Sequence, residues 1–242
     1  MKSFIIGIAG QKNSGKDTVA SMINYIASVG FAAANYQNWL VRKAVYDAKY
    51  KGRIIHFADK LKDCLSIIYN IPRQYFDDRR YKDELWYSLS ERKFVEYQHI
   101  YKDNKYHLIE INDLYRDNLA YIVDNTDKKC CIRLRTLLQY FGTDVCRNNL
   151  SNMIWVDSTI GDAINIALDK TFCIIPDVRH KIERDAIKAS SPLYGGVIIL
   201  KRGETSAEHS SENIDFEGDV IIENNGSLLQ LFYKVLNYLQ NI

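Results

Sequence analysis

Phe4-Ile5-Ile6-Gly7-Ile8-Ala9-Gly10-Gln11-Lys12-Asn13-Ser14-Gly15-Lys16-Asp17-Thr18 reads as a strand, a loop and the start of a helix in succession. The first six residues are mostly apolar and rich in β-branched side chains. Their length suits a parallel strand buried on both faces. After Thr18, residues Val19, Met22, Ile23 and Ile26 recur at i, i+3, i+4 and i+7, one face of a helix that Gly30 is placed to end. Between them, Gly10 to Asp17 follows the pattern GxxxxGK[ST] in all but its last position. Strand, glycine-bounded loop and helix form the context in which that pattern signifies a phosphate-binding loop.

The residue types match the chemistry. Gly10 and Gly15 let the backbone curl so that the N–H groups of the loop, Asn13 and Ser14 included, converge on one phosphate chain. The helix starting near Lys16 adds its positive dipole end, and the Lys16 ammonium can bridge β- and γ-phosphates. Asp17 stands where a hydroxyl residue is usual, with Thr18 one place later. Asp17 either holds Mg²⁺, directly or through water, or caps the helix; Thr18 is the alternative metal contact.

Working outward, 242 residues with 47% hydrophobic and 26% charged side chains and only 3 prolines describe a globular chain. That length suits one large domain or a core domain carrying an insertion. Lys and Arg total 32 against 30 Asp and Glu, a net charge of +2, which disfavours wrapping of nucleic acid by bulk charge. No apolar stretch is long enough to span a bilayer, and the apolar N-terminus is too short for a secretory signal. The five cysteines are odd in number and lack CxxC spacing, so a reducing cytosol is the expected setting. The five histidines lack metal-ligand spacing, and structural zinc is not expected.

Further along, 36–51 is expected to be an amphipathic helix and Ile54–Ala58 a second buried strand. A helix through Leu61, Leu65, Ile68 and Tyr69 follows, stopping before Pro72. From Asp77 to Lys129 polar and aromatic residues dominate, with a hairpin expected between 93–101 and 106–111 across Lys102–Lys105. This 77–129 segment reads as an inserted α+β piece, with 1–76 and 130–242 as the core. It either helps to build an acceptor pocket or serves as a homodimer surface. Helices are expected at 133–149, 158–169 and 181–190, and strands at 171–175, 196–200 and 219–222. Ser227 is the expected N-cap of a last helix. Strands alternating with helices imply a doubly wound, mainly parallel α/β sheet with helices on both faces and ligands at its carboxyl edge.

Several separated segments carry a family resemblance. They are Gly15–Thr18, Phe57–Lys62, Arg135–Asp144, Trp155-Val156, Ile175–Arg179, His209–Glu212 and Val220–Leu228. Taken in order and spacing, the chain resembles the deoxynucleoside monophosphate kinases of tailed bacteriophages, which are P-loop kinases. Dephospho-coenzyme A kinase and the animal phosphomevalonate kinases are similar relatives. The resemblance implies a P-loop NTPase-type fold, ATP and Mg²⁺ as cofactors, and transfer of a phosphoryl group to a deoxynucleoside 5′-monophosphate. It implies small nucleotides as the partners, with neither membrane nor nucleic acid, in the cytoplasm of an infected cell. A nucleotide-operated switch is the reading from another class.

Phosphoryl transfer needs in-line geometry and cations around the transferred group. Lys16 supplies one such cation, and arginines or lysines elsewhere must hold the acceptor. Arg135, Gln139, Thr143 and Arg147 recur every four residues as one polar stripe; it is either an acceptor surface or simply a solvent face, with Gly142 placed to bend the helix. The resemblance favours the acceptor role, most strongly for Arg135 and Gln139. Asp177 closes a buried strand and is either a metal or substrate ligand or a helix N-cap. Arg179 either reaches a phosphate or pairs with Glu183. Trp155 is either a wall for the acceptor base or core. Of Lys60 and Lys62, at the end of the second expected strand, either one contacts the substrate phosphate, Lys62 being the candidate, or both are solvated. Arg202 stacking on adenine is implied by the resemblance alone. His209–Glu212 lacks a nucleophile elbow and reads as a lid or capping segment.

Overall fold

The computed structural model describes residues 3–89, 92–95, 107–109, 119–123, 128–190, 193–203, 214 and 216–242. In chain order its elements begin with β1 (Phe4–Gly10), α1 (Lys16–Val29), α2 (Tyr36–Lys49), α3 (Asp59–Tyr69), β2 (Trp86–Ser88) and β3 (Lys93–Val95). Next come β4 (His107–Ile109), β5 (Leu119–Val123), β6 (Lys128–Ile132), α4 (Leu134–Gln139) and α5 (Ile154–Lys170). The chain ends with β7 (Phe172–Val178), α6 (Lys181–Lys188), β8 (Tyr194–Lys201), β9 (Val220–Glu223) and α7 (Leu228–Gln240). Two compact units result: Met1–Phe57 with Trp155–Ile242, and Ala58–Ile154.

The first unit is built on a parallel sheet in the order β7-β1-β8-β9. β1 pairs along its length with β7 on one side and β8 on the other. Phe4, Ile6 and Ile8 pack into the core made with α1, α2 and α7, through Val19, Met22, Ile23, Trp39 and Phe232. Gly7, on the alternate face, meets Ile187 of α6. Both faces of the sheet are therefore covered, which is why β1 is an unbroken apolar run. Burying each large side chain of α1 stabilises the unit by roughly 1.5–3 kcal/mol before entropy is counted. Ser227 caps α7 as expected, accepting from the Gln230 amide while the Gln230 carboxamide returns to the Ser227 N–H.

The second strand expected at Ile54–Ala58 reduces to one parallel bridge, Ile54 with Ile174, and one further bond from the Ile55 N–H to the Ile174 carbonyl. The ladder stops there because the next amide toward β7, that of Phe57, donates to the Asp177 carboxylate instead, at 3.2 Å. Counting that bridge, the order across the sheet is second, third, first, fourth, fifth in chain order. The connections change direction at β1, so its carboxyl end is the switch point where such sheets bind ligands.

The second unit holds an antiparallel sheet in the order β3-β2-β6-β5-β4. The segment expected as an insertion, 77–129, lies within this unit. Of the two arms expected to pair across Lys102–Lys105, the described parts are β3 and β4, and these pair with β2 and β5. The turn residues themselves lie outside the described residues. Strands of three residues bounded by mixed polar and aromatic positions carry too little alternation for their partners to be read locally. Leu65, Ile71, Phe76, Tyr87, Ile132, Leu134 and Leu137 form this unit's core.

The helix expected over 133–149 is α-helical only through Gln139 and then π-helical over Tyr140–Arg147. Gly142 sits inside that wider turn, where a Cβ would lie 2.7 Å from the Leu61 side chain. The helix α5 starts at Ile154, earlier than expected, and so takes in Trp155 and Val156. Among the described residues, no helix is long and apolar enough to cross a membrane. The segment His209–Glu212 lies outside the described residues.

Candidate active site

The loop between β1 and α1 is shaped by two left-handed residues, Asn13 (φ 64°) and Gly15 (φ 100°), on either side of Ser14. Asn tolerates that region better than most side chains, and glycine enters it freely. At Gly10 the constraint is proximity: a Cβ there would lie 2.6 Å from Ser14 Oγ and 2.8 Å from the Leu200 carbonyl oxygen. The loop thus leaves β1 pressed against β8. Lys16 folds into the curl, its ammonium donating to the carbonyls of Gly10 and Gln11 at 2.7 Å each. The Ser14 hydroxyl is 3% exposed and has no hydrogen-bond partner among the described residues. A buried orphan hydroxyl beside an ammonium and a helix N-terminus suits an anionic oxygen. Asp17 is exposed and Thr18 half-buried in the first turn of α1.

Two side chains from distant strands hold the outside of this loop. Asn224, just after β9, donates from Nδ2 to the Ser14 carbonyl at 2.8 Å. Arg202, just after β8, makes a longer contact of 3.4 Å to the Asn13 carbonyl. Arg202 also lines a cleft of roughly 490 Å³ together with Gln11, Ile199, Phe216, Gly218 and Ile221. The lining is mixed, with Ile199, Phe216 and Ile221 beside the polar Gln11, Lys201, Arg202 and Glu217, and has room for a planar heterocycle attached to a phosphate chain.

Asp177 belongs to β7, so it is not a helix cap. The register passes from Gly7 opposite Ile175 to Ala9 opposite Val178, leaving one extra residue on β7 at Pro176-Asp177. Such a bulge re-aims a side chain at a strand end, and proline fits it because it has no ladder N–H to give. Asp177 is half-buried next to the start of the loop. Arg179 does not pair with Glu183 through its guanidinium. Glu183, 2% exposed, accepts instead from the main-chain N–H of Arg179 at 2.8 Å and of His180 at 3.1 Å. The Arg179 side chain is exposed and has no ion pair among the described residues. Trp155 is 6% exposed.

In the second unit, Arg135, Gln139 and Thr143 are all exposed, while Arg147 is half-buried. Arg135 meets Asp83 in a two-bond fork, Nε to Oδ1 at 2.7 Å and Nη2 to Oδ2 at 2.9 Å. The bond from Arg135 holds the Asp83 carboxyl below its ordinary range, and Asp83 in turn raises Arg135. Lys62 is engaged with Asp77 at 2.6 Å and lies 3.9 Å from Asp59. Arg73 binds Asp59, Asp63 and Asp77. Burial pushes the Asp77 carboxyl up, but Lys62 and Arg73 outweigh it and hold it low.

Sequence reasoning missed Lys82 and Asn224. Burial pushes the Lys82 ammonium below its ordinary range; Asp83 opposes the shift, while Arg135 and Lys62 add to it. Among the described residues no carboxylate pairs with it. Lys82 is half-buried, with the charges of Asp83 and Asp77 acting against those of Arg135 and Lys62. The only signal for Lys82 in the sequence was the basic run Arg79-Arg80-Tyr81-Lys82, which reads equally as a solvated face.

A family model described as deoxynucleotide monophosphate kinase matches residues 4–235. The chain belongs to that family. Over 256 residues it is 25% identical to the deoxynucleotide monophosphate kinase of Enterobacteria phage T4, covering 98% of each chain. It is 26% identical to the protein of the same name from Escherichia phage RB69, covering 96% of this chain and 97% of the relative. The match to this kinase family takes in both units, including the phosphate loop in the first and the Arg135 helix in the second.

Proposed function

We propose that the chain transfers the γ-phosphoryl group of ATP to the 5′-phosphate of a deoxynucleoside monophosphate, giving the diphosphate and ADP. Family membership supports the acceptor class. The observation that carries the donor half is the phosphate loop itself, with Lys16 turned into the curl, Gly15 left-handed and the Ser14 hydroxyl buried without a partner.

On this reading the loop amides of Asn13 to Lys16 and the Lys16 ammonium hold the donor triphosphate. The adenine takes the cleft beside Arg202. Arg135 and Lys82 hold the acceptor phosphate, with Gln139 and Thr143 on the same exposed stripe toward the nucleoside. Arg179 is a further cation for the transferred group. No side-chain nucleophile is needed, because a phosphate oxygen of the acceptor attacks the γ-phosphorus and the bond to the ADP oxygen breaks in line. Lys16 neutralises charge on the leaving side, which is where such a loop acts on the barrier.

Mg²⁺ fits the oxygen donors present. Thr18 and Asp17 stand in the first turn of α1 and Asp177 at the end of β7. Such a cation takes most of its ligands from phosphates and water, so few protein oxygens are needed. When bound, Mg²⁺ supplies neutralisation of the donor phosphates.

A coupled ADP-release assay tests the proposal, run across the four dNMPs, the corresponding NMPs, dephospho-coenzyme A and phosphomevalonate. Turnover is expected with dNMPs. Turnover with dephospho-coenzyme A or phosphomevalonate in their place would overturn the acceptor assignment, and ATP hydrolysis without any acceptor product would favour a nucleotide-operated switch.

A further inference from the structure

Asn224 and Ser14 are 210 positions apart in sequence, yet the Asn224 carboxamide donates to the Ser14 carbonyl at 2.8 Å. The same Nδ2 lies 2.8 Å from where a Cβ on Gly15 would stand. The carboxamide is therefore in direct contact with the Ser14–Gly15 peptide. In a trans peptide the C=O and the following N–H point in opposite directions. Holding the Ser14 oxygen outward thus turns the Gly15 N–H inward, toward the curl that Lys16 enters. No described residue accepts that N–H.

Asn224 is itself held. Its own N–H donates to the Lys201 carbonyl at 2.7 Å, and the next residue, Asn225, accepts from the Gly203 N–H at 2.7 Å. The turn after β9 is thereby tied to the end of β8, so the carboxamide approaches the loop from a fixed base. Gly15 is in the left-handed region, where the peptide before it is easily reoriented. An external donor is what removes that freedom.

We propose that Asn224 is a positioning residue for the phosphate loop: by pinning the Ser14 carbonyl outside, it presents the Gly15 N–H to the donor's phosphate chain. The inference rests on the donor assignment above and adds to it a residue outside the loop motif. The cost of losing Asn224 falls on the triphosphate and not on the acceptor.

The test is equilibrium binding of MgATP, without acceptor, to wild type, Asn224→Ala and Asn224→Asp, together with competition by inorganic tripolyphosphate. KM for a dNMP is measured in parallel. Both variants should bind MgATP and tripolyphosphate about tenfold more weakly, the effect of one main-chain hydrogen bond. KM for the dNMP should stay within twofold. Asp has nearly the shape of Asn but no donor for a carbonyl and adds a negative charge, so Asn224→Ala, which adds none, reads the lost bond free of repulsion while Asn224→Asp keeps the packing. Unchanged MgATP affinity in folded Asn224→Asp, or equal weakening toward MgATP and dNMP, would overturn the proposal. Failure of wild type to bind MgATP would instead overturn the donor assignment.

Discussion

Asp83 and Arg135, 52 positions apart, meet through two parallel hydrogen bonds of 2.7 and 2.9 Å. A fork of this kind fixes the plane of the guanidinium as well as its place. Arg135 is half-exposed at the pair, so the pair adds little to stability in water, and its use is orientation. A guanidinium held flat by one carboxylate keeps other N–H groups for a phosphate.

Arg135→Ala should therefore lower kcat/KM for the dNMP about a hundredfold, the usual consequence of removing a charged phosphate ligand. MgATP affinity should stay within twofold. Steady-state kinetics with each substrate varied in turn reads both numbers, and a loss falling on ATP would remove Arg135 from the acceptor side.

In the proposed acceptor site Lys82 is a cation that folding leaves half-buried. Its folded pKa is lowered, so the unfolded chain binds that proton more tightly. Stability then rises with pH through the window between the lowered value and the ordinary value of 10.5. Lys82→Met should raise KM for the dNMP roughly tenfold while holding or raising the melting temperature. A drop in melting temperature with unchanged kinetics would mark Lys82 as structural.

Lys16→Ala removes the ammonium and, with it, two hydrogen bonds to the loop carbonyls. Activity should fall by at least roughly a hundredfold, with far-ultraviolet circular dichroism unchanged. Full turnover by the folded variant would refute the role given to this loop.

Gly15→Ala places a Cβ 2.8 Å from Asn224 Nδ2 in a backbone held at φ 100°. The strain is about 1–3 kcal/mol. Chemical denaturation should show a stability loss of that order, accompanied by weaker MgATP binding, because relieving the contact moves either the loop or the Asn224 carboxamide that holds it.

Cys173 is fully buried in β7 and its thiol is pushed up to about 12, chiefly by burial. A raised folded pKa contributes stability that is fully present below the ordinary thiol value of 9.0 and is lost as pH rises toward about 12. Native protein at neutral pH should therefore alkylate at exposed Cys64 and not at Cys173. Cys173→Ala should flatten the fall in stability between those two pH values by about 1.4 kcal/mol per unit. Rapid labelling of Cys173 would contradict its burial.

The phosphate loop was legible because its demands are local. A buried strand, two glycines, a lysine and a helix start follow one another within fifteen residues, and each answers to backbone geometry rather than to distant partners. The α7 cap at Ser227 was legible for the same reason. The strand expected at Ile54 was misread because the Phe57 amide has a competing acceptor 120 positions away in Asp177. The partners of β3 and β4 were not legible because strands this short take their partners from the whole sheet.

From the amino-acid order alone came the α/β class, the strand–loop–helix of the phosphate-loop pattern and the kinase resemblance. Periodicity and loop chemistry are short-range properties, and they are written along the chain. Tertiary structure alone decided that Asp83 orients Arg135, that Asp177 turns on a bulge and that Asn224 holds Ser14. Those pairs are selected by packing between segments 52 to 210 positions apart, and a contact that depends on where two surfaces meet has no local pattern to announce it.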